Sequence, residues 1–282
     1  MDVPGFSSPN QSVLARSKNV IARTVGRLTG ARRRSSRERL PESLARLGTG
    51  LAATAATVGA YRYVFQPWHQ TWGATEIEVE KSLPGDGLVP NPSYETTRAL
   101  TIDAPPEAVW PWVVQMGQGR GGFYSYEWLE NLFGLDIHNT DQIVPEWQDL
   151  EPGDTVRLAP PDQYEDRAKM RVVHLEPNRA LVFGPVVDSA EDFEAAARTG
   201  AGTWAFVLEP MNRGKTRLLV RTRSRPWRAP RPVFFAYDPA HFLMERKMML
   251  GIKRRAEAAP KEQGAPPRED GQQARKSAET RP

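Results

Sequence analysis

The sequence predicts an α+β domain in which a curved antiparallel sheet wraps around a long C-terminal helix. Two pairs of strand-like segments are each split by a short turn, which predicts consecutive hairpins. Two short helices follow the first strand, and one amphipathic helix ends near residue 258. A run of strands followed by a single long helix is typical of an α+β arrangement rather than of alternating βαβ units.

The chain of 282 residues begins with a basic segment, assigned to residues 1–43 and expected to be largely disordered. Residues 3–37 contain no acidic residue. As a helix, this segment would have an apolar face and an opposite face of arginines, a pattern that suits an anionic membrane surface. The apolar residues are Leu14, Ile21, Val25 and Leu28. A disordered tail and an organelle transit peptide are alternatives. No aromatic residue interleaves with the arginines of residues 16–39, so we expect no nucleic-acid partner.

Residues 44–66 form a hydrophobic segment. Within it, residues 47–65 carry one charge, Arg62, and as a helix would span about 28 Å, close to the hydrocarbon thickness of a bilayer. An aromatic cluster at its end resembles an interfacial belt: Tyr61, Tyr63, Trp68 and Trp72. Arginines precede it, which predicts a single-pass anchor with a cytoplasmic N-terminus. Export after signal cleavage and a soluble cytoplasmic protein are the alternatives.

A linker over residues 67–93 leads into a folded domain over residues 94–259, and a polar tail over residues 260–282 is expected to be disordered. The domain opens with a threonine-rich strand over 96–102. A helix over 106–116 follows Pro105. A second helix is predicted from Ser125, as N-cap, to the residue before Gly134. Its expected apolar face consists of Trp128, Leu129, Leu132 and Phe133.

Three glycines between these helices match the pattern G-x-G-x-x-G, which suggests a dinucleotide cradle: Gly117, Gly119 and Gly122. That motif requires a preceding strand, whereas here a helix precedes it. We therefore interpret the glycines as a mobile hinge between two helices and expect no cofactor.

The remaining strands are predicted over 154–158, 170–175, 180–187, 203–208 and 216–223. In the fourth of them, Trp204, Phe206 and Leu208 share a face. In the last, threonines and aliphatic residues oppose Arg217, Arg221 and Arg223. We interpret the arginines as a solvated outer face, with binding of an anionic ligand as the alternative.

The final helix is predicted from Pro239 to about residue 258, with Asp238 as its N-cap. Met244, Met248 and Ile252 line one helical face, with His241 on the same arc and Glu245 at its edge. Methionines are adaptable packing residues, so this face suits either ordinary core packing or a surface that accepts varied ligands.

Two stretches carry a resemblance to a known superfamily: TIDAPPEAVWPWVVQMGQGRGGFYSYEWLENLFGLDIH and DPAHFLMERKMMLGIKRR. They resemble the helix-grip superfamily, the START-like or SRPBCC proteins, which includes polyketide cyclases and lipid-transfer domains. The resemblance extends from residue 68 to about residue 257 and is strongest to a bacterial subgroup with an N-terminal hydrophobic segment. It implies a helix-grip fold with a cavity for a hydrophobic molecule between the sheet and the last helix. It carries over no catalytic residue.

The candidate ligand-binding residues are aromatic residues and methionines expected to face this space: Trp112, Met116, Phe123, Tyr124, Trp128, Trp204, Phe206, Met244 and Met248. His241 and Glu245 are the catalytic candidates, as a pair for proton transfer. The same pair lacks a third ligand, so no metal is expected. The absence of cysteine excludes thiol catalysis, and the absence of a G-x-S-x-G motif argues against an acyl-transfer triad.

Three functions fit these features. The first is binding or carriage of a small lipid-like or polyketide-like molecule, at an anionic membrane surface. The second is a cyclase or dehydratase that uses the same cavity. The third is a membrane-proximal scaffold.

Overall fold

The structure is a computed structural model that describes residues 55–164, 168–198, 201–225 and 231–258. Predicted segments 1–43 and 260–282, and the first part of hydrophobic segment 44–66, lie outside the described residues. Among the residues described, no helix combines the length and the apolar composition needed to cross a bilayer.

The described strands form one antiparallel sheet with the order β1-β6-β5-β4-β3-β2. The strands are β1 (Tyr94–Ile102), β2 (Thr155–Arg157), β3 (Lys169–Glu176), β4 (Ala180–Gly184), β5 (Gly202–Met211) and β6 (Lys215–Ser224). Each overlaps a predicted strand, and β3–β4 and β5–β6 are the two predicted hairpins. The register of β3 on β4 shifts between Val172 and His174, an irregularity of the kind that bends a strand.

Several α-helices accompany the sheet in the described ranges, besides the helical residues 55–60. They are α1 (Gln66–Gln70), α2 (Glu76–Glu80), α3 (Pro106–Val114), α4 (Glu127–Leu132), α5 (Pro161–Tyr164), α6 (Ala190–Arg198) and α7 (Arg231–Ala258). A π-helical stretch, Tyr61–Phe65, runs directly into α1. Helices α3, α4 and α7 correspond to predicted helices, whereas α2, α5 and α6 fall in stretches that the sequence patterns left irregular.

The core lies between the inner face of the sheet, α3 and α7. Alternate residues of a strand point to one face, so the inward residues of β1, β5 and β6 meet the helices directly. These buried residues include Leu100, Ile102, Val109, Val113, Phe206, Leu208, Leu218, Val220, Met248, Met249 and Ile252. The predicted shared face of Trp204, Phe206 and Leu208 is confirmed. This is a sheet that grips a long C-terminal helix, as the helix-grip fold requires.

Helix α7 begins earlier than predicted, at Arg231, so the prediction that Asp238 is its N-cap is wrong. Asp238 is fully buried within the helix and accepts hydrogen bonds from three side chains. Tyr61 Oη and Gln66 Nε2 each lie 3.0 Å from Oδ2, and Tyr94 Oη lies 2.9 Å from Oδ1. These bonds satisfy the buried carboxylate, and the helix continues through Pro239 although proline lacks the backbone donor.

The outer face of the sheet is covered by the segment over residues 73–89. Arg221 is 2% exposed, and its guanidinium contacts the carbonyl oxygens of Glu78, Val79 and Lys81 at 2.7–2.9 Å. The same guanidinium forms an ion pair of 2.7 Å with Asp86. Arg221 therefore holds the C-terminal end of α2, whose backbone carbonyls lack helical partners.

The neighbouring arginines hold the same segment. Arg217 donates to both carboxylate oxygens of Glu78 at 2.7 and 2.9 Å. Hydrogen bonds from Arg217 lower the pKa of Glu78 to about 2. Arg223 pairs with Asp86 and Glu95, each at 3.1 Å. The interpretation of these arginines as a solvated face is therefore wrong, and their carboxylate partners leave no vacant cation for an anionic ligand.

The glycine motif forms a closed loop between α3 and α4. Gly117 and Gly122 pair as an antiparallel bridge, with N–H···O distances of 3.0 and 3.1 Å. Both residues and Gly119 have positive φ, which favours glycine. A Cβ at Gly122 would lie 2.5 Å from Oδ1 of Asn139. A dinucleotide cradle follows a strand of a parallel sheet. This loop follows helix α3 and lies beside an antiparallel sheet, so it is not such a cradle.

Candidate functional site

A cavity of about 1310 Å³ lies at one end of the sheet, between the inner face and α7, with α4 and its neighbours at the side. This exceeds the usual range for small-molecule pockets, about 300–1,000 Å³. The sheet contributes Tyr94, Met170, Gly202, Thr203, Trp204, Thr222 and Ser224, with Ser93 and Arg225 next to its strands, and α7 contributes Tyr237, His241, Met244, Glu245 and Met248. The remaining lining residues are Phe123, Ser125, Glu130, Leu135, Leu158 and Ala201.

One wall of the cavity is aromatic. Trp204 and Phe123 belong to the lining, with ring centroids 6.3 Å apart, and Phe206 packs behind Trp204 at 4.7 Å between centroids. Phe183 packs behind them, 6.2 Å from Trp204. Such a wall offers a large apolar surface of fixed shape, which suits a rigid or aromatic ligand.

Glu245 lines the polar end of the cavity and belongs to a buried ion pair. Arg98, on β1, contacts Oε2 of Glu245, on α7, and both side chains are inaccessible to solvent. The other carboxylate oxygen, Oε1, accepts a hydrogen bond of 2.9 Å from Nε1 of Trp204. Arg98 Nε also donates to the carbonyl oxygen of His69 at 2.8 Å. Both oxygens of Glu245 are thus fixed by residues of the sheet.

His241 lies next to this pair. Its Nδ1 is 3.3 Å from Nη1 of Arg98, and its ring stacks on Tyr237 with centroids 5.6 Å apart. Burial lowers the pKa of His241, so the imidazole is neutral at neutral pH. Because a guanidinium only donates, Nδ1 is the acceptor and Nε2 carries the proton. His241 therefore presents an N–H donor 3.8 Å from Oε1 of Glu245.

Glu130 supplies a second carboxyl group to the lining. It is the buried residue of α4 and is 4% exposed. Burial, followed by repulsion from Glu127, raises its pKa to about 7. Its Oε2 has no hydrogen-bond partner among the described residues, while the hydroxyl of Ser125 bonds to the carboxyl group.

Six of the sequence-predicted site residues line the cavity: Phe123, Trp204, His241, Met244, Glu245 and Met248. Met116 lies in an adjoining apolar crevice with Phe123 and Trp204. Trp112, Tyr124 and Phe206 instead pack in the core. Tyr124 is held there by a bond of 3.0 Å from Gln115 and by the guanidinium of Arg255 over its ring, so its assignment to the cavity is wrong.

The assignment of Trp128 to the ligand site is also wrong, because its side chain is 69% exposed on the outside of α4. The sequence patterns missed Arg98, Glu130 and Tyr94. For Arg98 a signal existed, because it occupies an inward position of β1, in step with Leu100 and Ile102. A charge at such a position requires a buried partner.

Within the ranges that the structure describes, no three histidine, aspartate or glutamate side chains are grouped to hold a metal ion. The pair of His241 and Glu245 has the guanidinium of Arg98 beside it, which repels a cation.

No protein-family model and no curated protein matches the chain. Among solved structures, protein MLL2253 from Mesorhizobium loti is 14% identical, with 59% of this chain and 98% of that one covered and a TM-score of 0.34. The Aha1 dimer from Colwellia psychrerythraea is 14% identical, with coverage of 57% and 98% and a TM-score of 0.32. The di-domain ARO/CYC protein BexL is 13% identical, with coverage of 58% and 46% and a TM-score of 0.35. The helix-grip assignment rests on strand order and on α7, not on these likenesses.

Proposed function

We propose that this protein binds a small, largely apolar molecule in the cavity between the sheet and α7, as a carrier or sensor. The observation that supports the proposal is the cavity itself, about 1310 Å³ in volume with apolar walls and a few fixed polar groups. Ligand sites generally combine these two properties, since apolar surface supplies affinity and convergent polar groups supply orientation.

The polar end of the cavity is preorganised. Trp204 is fixed by its bond to Glu245, and Glu245 is fixed by Arg98. A ligand that meets these groups does not have to order them, which removes part of the entropic cost of binding. The neutral His241 adds an N–H donor for a carbonyl or hydroxyl oxygen.

A lipophilic reporter dye tests the proposal. Nile red, which fluoresces in apolar surroundings, should bind with saturation to the purified protein. Met244→Trp places an indole in the cavity, where Met244 is part of the lining, and should weaken dye binding at least tenfold. Leu243→Trp is the matched control, because Leu243 directly precedes Met244 on α7 and its side chain is exposed. Equal dye binding by both variants would refute the cavity as the ligand site.

A cyclase or dehydratase is the second candidate. It is favoured by one observation, the neutral imidazole of His241 beside the ionic pair of Glu245 and Arg98 in a cavity wall. A neutral imidazole and a carboxylate are the usual agents of general acid–base catalysis.

We propose a membrane surface as the site of action on sequence grounds alone. The basic segment 1–43 and the hydrophobic segment 44–66 support it. The full-length protein should stay in the membrane fraction through an alkaline carbonate wash. Recovery of the full-length protein in the wash would refute the anchor, and a shorter product that begins after Ala60 would favour export.

A further inference from the structure

Helix α4 has its amphipathic pattern reversed. Trp128, Leu132 and Phe133, in or next to the helix, are 69%, 71% and 66% exposed. The buried residue of the helix is instead a glutamate, Glu130, at 4% exposure. A soluble helix normally buries its apolar face, so this orientation is unfavourable for folding. A local conflict of this kind is typical of a functional position.

The carboxyl group of Glu130 lines the cavity and lacks a counter-ion. Its Oε2 is unpartnered among the described residues, and the charge of Glu127 repels it. The Ser125 hydroxyl bonds to the carboxyl, and the same hydroxyl lies 3.5 Å from Sδ of Met244. A buried carboxyl group without a cation takes a proton or waits for an external donor.

Two described arginines in or beside the lining already have carboxylate partners. Arg225, in the lining, forms an ion pair of 3.0 Å with Glu194, and Arg98 is paired with Glu245. His241 is neutral, because burial lowers its pKa. In the described part of the lining, Glu130 is therefore the charge left unbalanced, and the cavity favours neutral or positive ligands over anions.

We propose that Glu130 is a ligand-binding residue, which accepts a hydrogen bond from a hydroxyl or ammonium group on an otherwise apolar molecule. The inference rests on the proposed cavity function and specifies its ligand class. It excludes fatty acids and other apolar anions as preferred ligands, because their carboxylate would meet Glu130 without a free cation to offset it. The raised pKa of Glu130, about 7, agrees with a carboxyl group that lacks such a partner.

Three probes with the same ring test the ligand class: 1-naphthalenemethylamine, 1-naphthalenemethanol and 1-naphthoate. Each competes with Nile red at pH 8, where the amine is largely cationic and Glu130 largely ionised. The amine and the alcohol should displace the dye at concentrations at least tenfold lower than 1-naphthoate. Equal or better displacement by 1-naphthoate would overturn the proposal.

The variant Glu130→Gln keeps the shape of the side chain and removes its charge. It should weaken binding of the amine at least tenfold and leave binding of 1-naphthoate unchanged or tighter. Glu127→Gln, one turn earlier on α4 and partly exposed, is the control and should keep the wild-type order. An equal shift of all three probes in Glu130→Gln would overturn the proposal. If Glu130→Gln fails to fold, the order in which the three probes bind to the wild-type protein still tests the proposal.

Failure of this inference differs from failure of the proposed function. If Nile red itself does not bind, the cavity is not a ligand site and both proposals fail. If Nile red binds and Met244→Trp blocks it, but the three probes show no preference, the ligand site stands and the role of Glu130 fails.

Discussion

The indole of Trp204 donates a hydrogen bond of 2.9 Å to Oε1 of Glu245, which connects the middle of the sheet to the C-terminal helix. Arg98 holds the other oxygen of the same carboxylate from the first strand. The buried side chain of Glu245 on α7 is thus held by strands β1 and β5, next to the cavity. The grip of the sheet on the helix and the polar end of the ligand site depend on the same residues.

The pair of Arg98 and Glu245 should be strongly coupled in stability. Either single substitution to methionine leaves a buried charge unpaired and should lower the free energy of unfolding by about 3–5 kcal/mol. The double substitution removes both charges and should recover most of that amount. Urea unfolding of the four proteins measures the coupling. Strictly additive losses would show that the two groups do not interact energetically.

Glu130 should make the protein less stable as the pH rises. Burial raises its pKa in the folded protein to about 7 from an ordinary value of 4.5, so between these values the folded state binds more protons than the unfolded state. Its favourable contribution is complete below pH 4.5 and disappears as the pH rises through 7. The difference amounts to about 3 kcal/mol at most.

The measurement is the free energy of unfolding of wild type and Glu130→Gln at pH 5 and pH 8. Other titrating groups, including His69 and His241, contribute equally to both proteins and cancel in the difference. Glu130→Gln should be the more stable protein at pH 8, and its advantage should shrink at pH 5. A pH-independent difference would mean that Glu130 does not titrate in this range.

The effect of replacing His241 distinguishes the two proposed functions, a carrier and an enzyme. The molecule that co-purifies with the protein is returned to fresh protein and followed by mass spectrometry. A carrier leaves it unchanged, and His241→Ala then alters its affinity by about 1 kcal/mol, the worth of one hydrogen bond. An enzyme converts it, and His241→Ala should slow the conversion at least about 10²-fold. Conversion at the wild-type rate by the variant would remove His241 from the catalytic candidates.

Arg221 should contribute far more to stability than expected for the solvated residue that the strand pattern predicts. Arg221→Met removes the donor to the carbonyl oxygens of Glu78, Val79 and Lys81 and one of the two arginine partners of Asp86, and should cost about 3–5 kcal/mol. Arg179→Met is the control, because Arg179 forms an exposed ion pair with Glu176 and should change stability by less than about 1 kcal/mol. Similar melting temperatures for the two variants would contradict the role of Arg221 in holding the segment over residues 73–89.

The sheet and α7 were predictable because their signals are local. The alternation of Trp204, Phe206 and Leu208 fixes which face of β5 is buried, and the turn at Gly214 marks the second hairpin. The methionine face of α7 likewise follows from helical spacing alone, and it does meet the cavity at Met244 and Met248.

The missed features depend on contacts between distant parts of the chain. Asp238 reads as an N-cap by its position before Pro239, but Tyr61 and Gln66 reach it from more than 170 residues away and bury it within a longer helix. Arg221 reads as solvated until α2 covers it. The ordinary rule for amphipathic helices predicts that Trp128 is buried. In the structure, α4 instead directs Glu130 toward the cavity and leaves Trp128 exposed.

Native mass spectrometry of the protein purified from its own cells tests the central claim most directly. A cavity that carries a ligand predicts a wild-type mass that exceeds the polypeptide by one small organic molecule, with the excess retained by Leu243→Trp and absent from Met244→Trp. The released molecule should be mostly apolar, and neutral or cationic. An identical bare mass for all three proteins, together with no uptake of Nile red, would contradict the account.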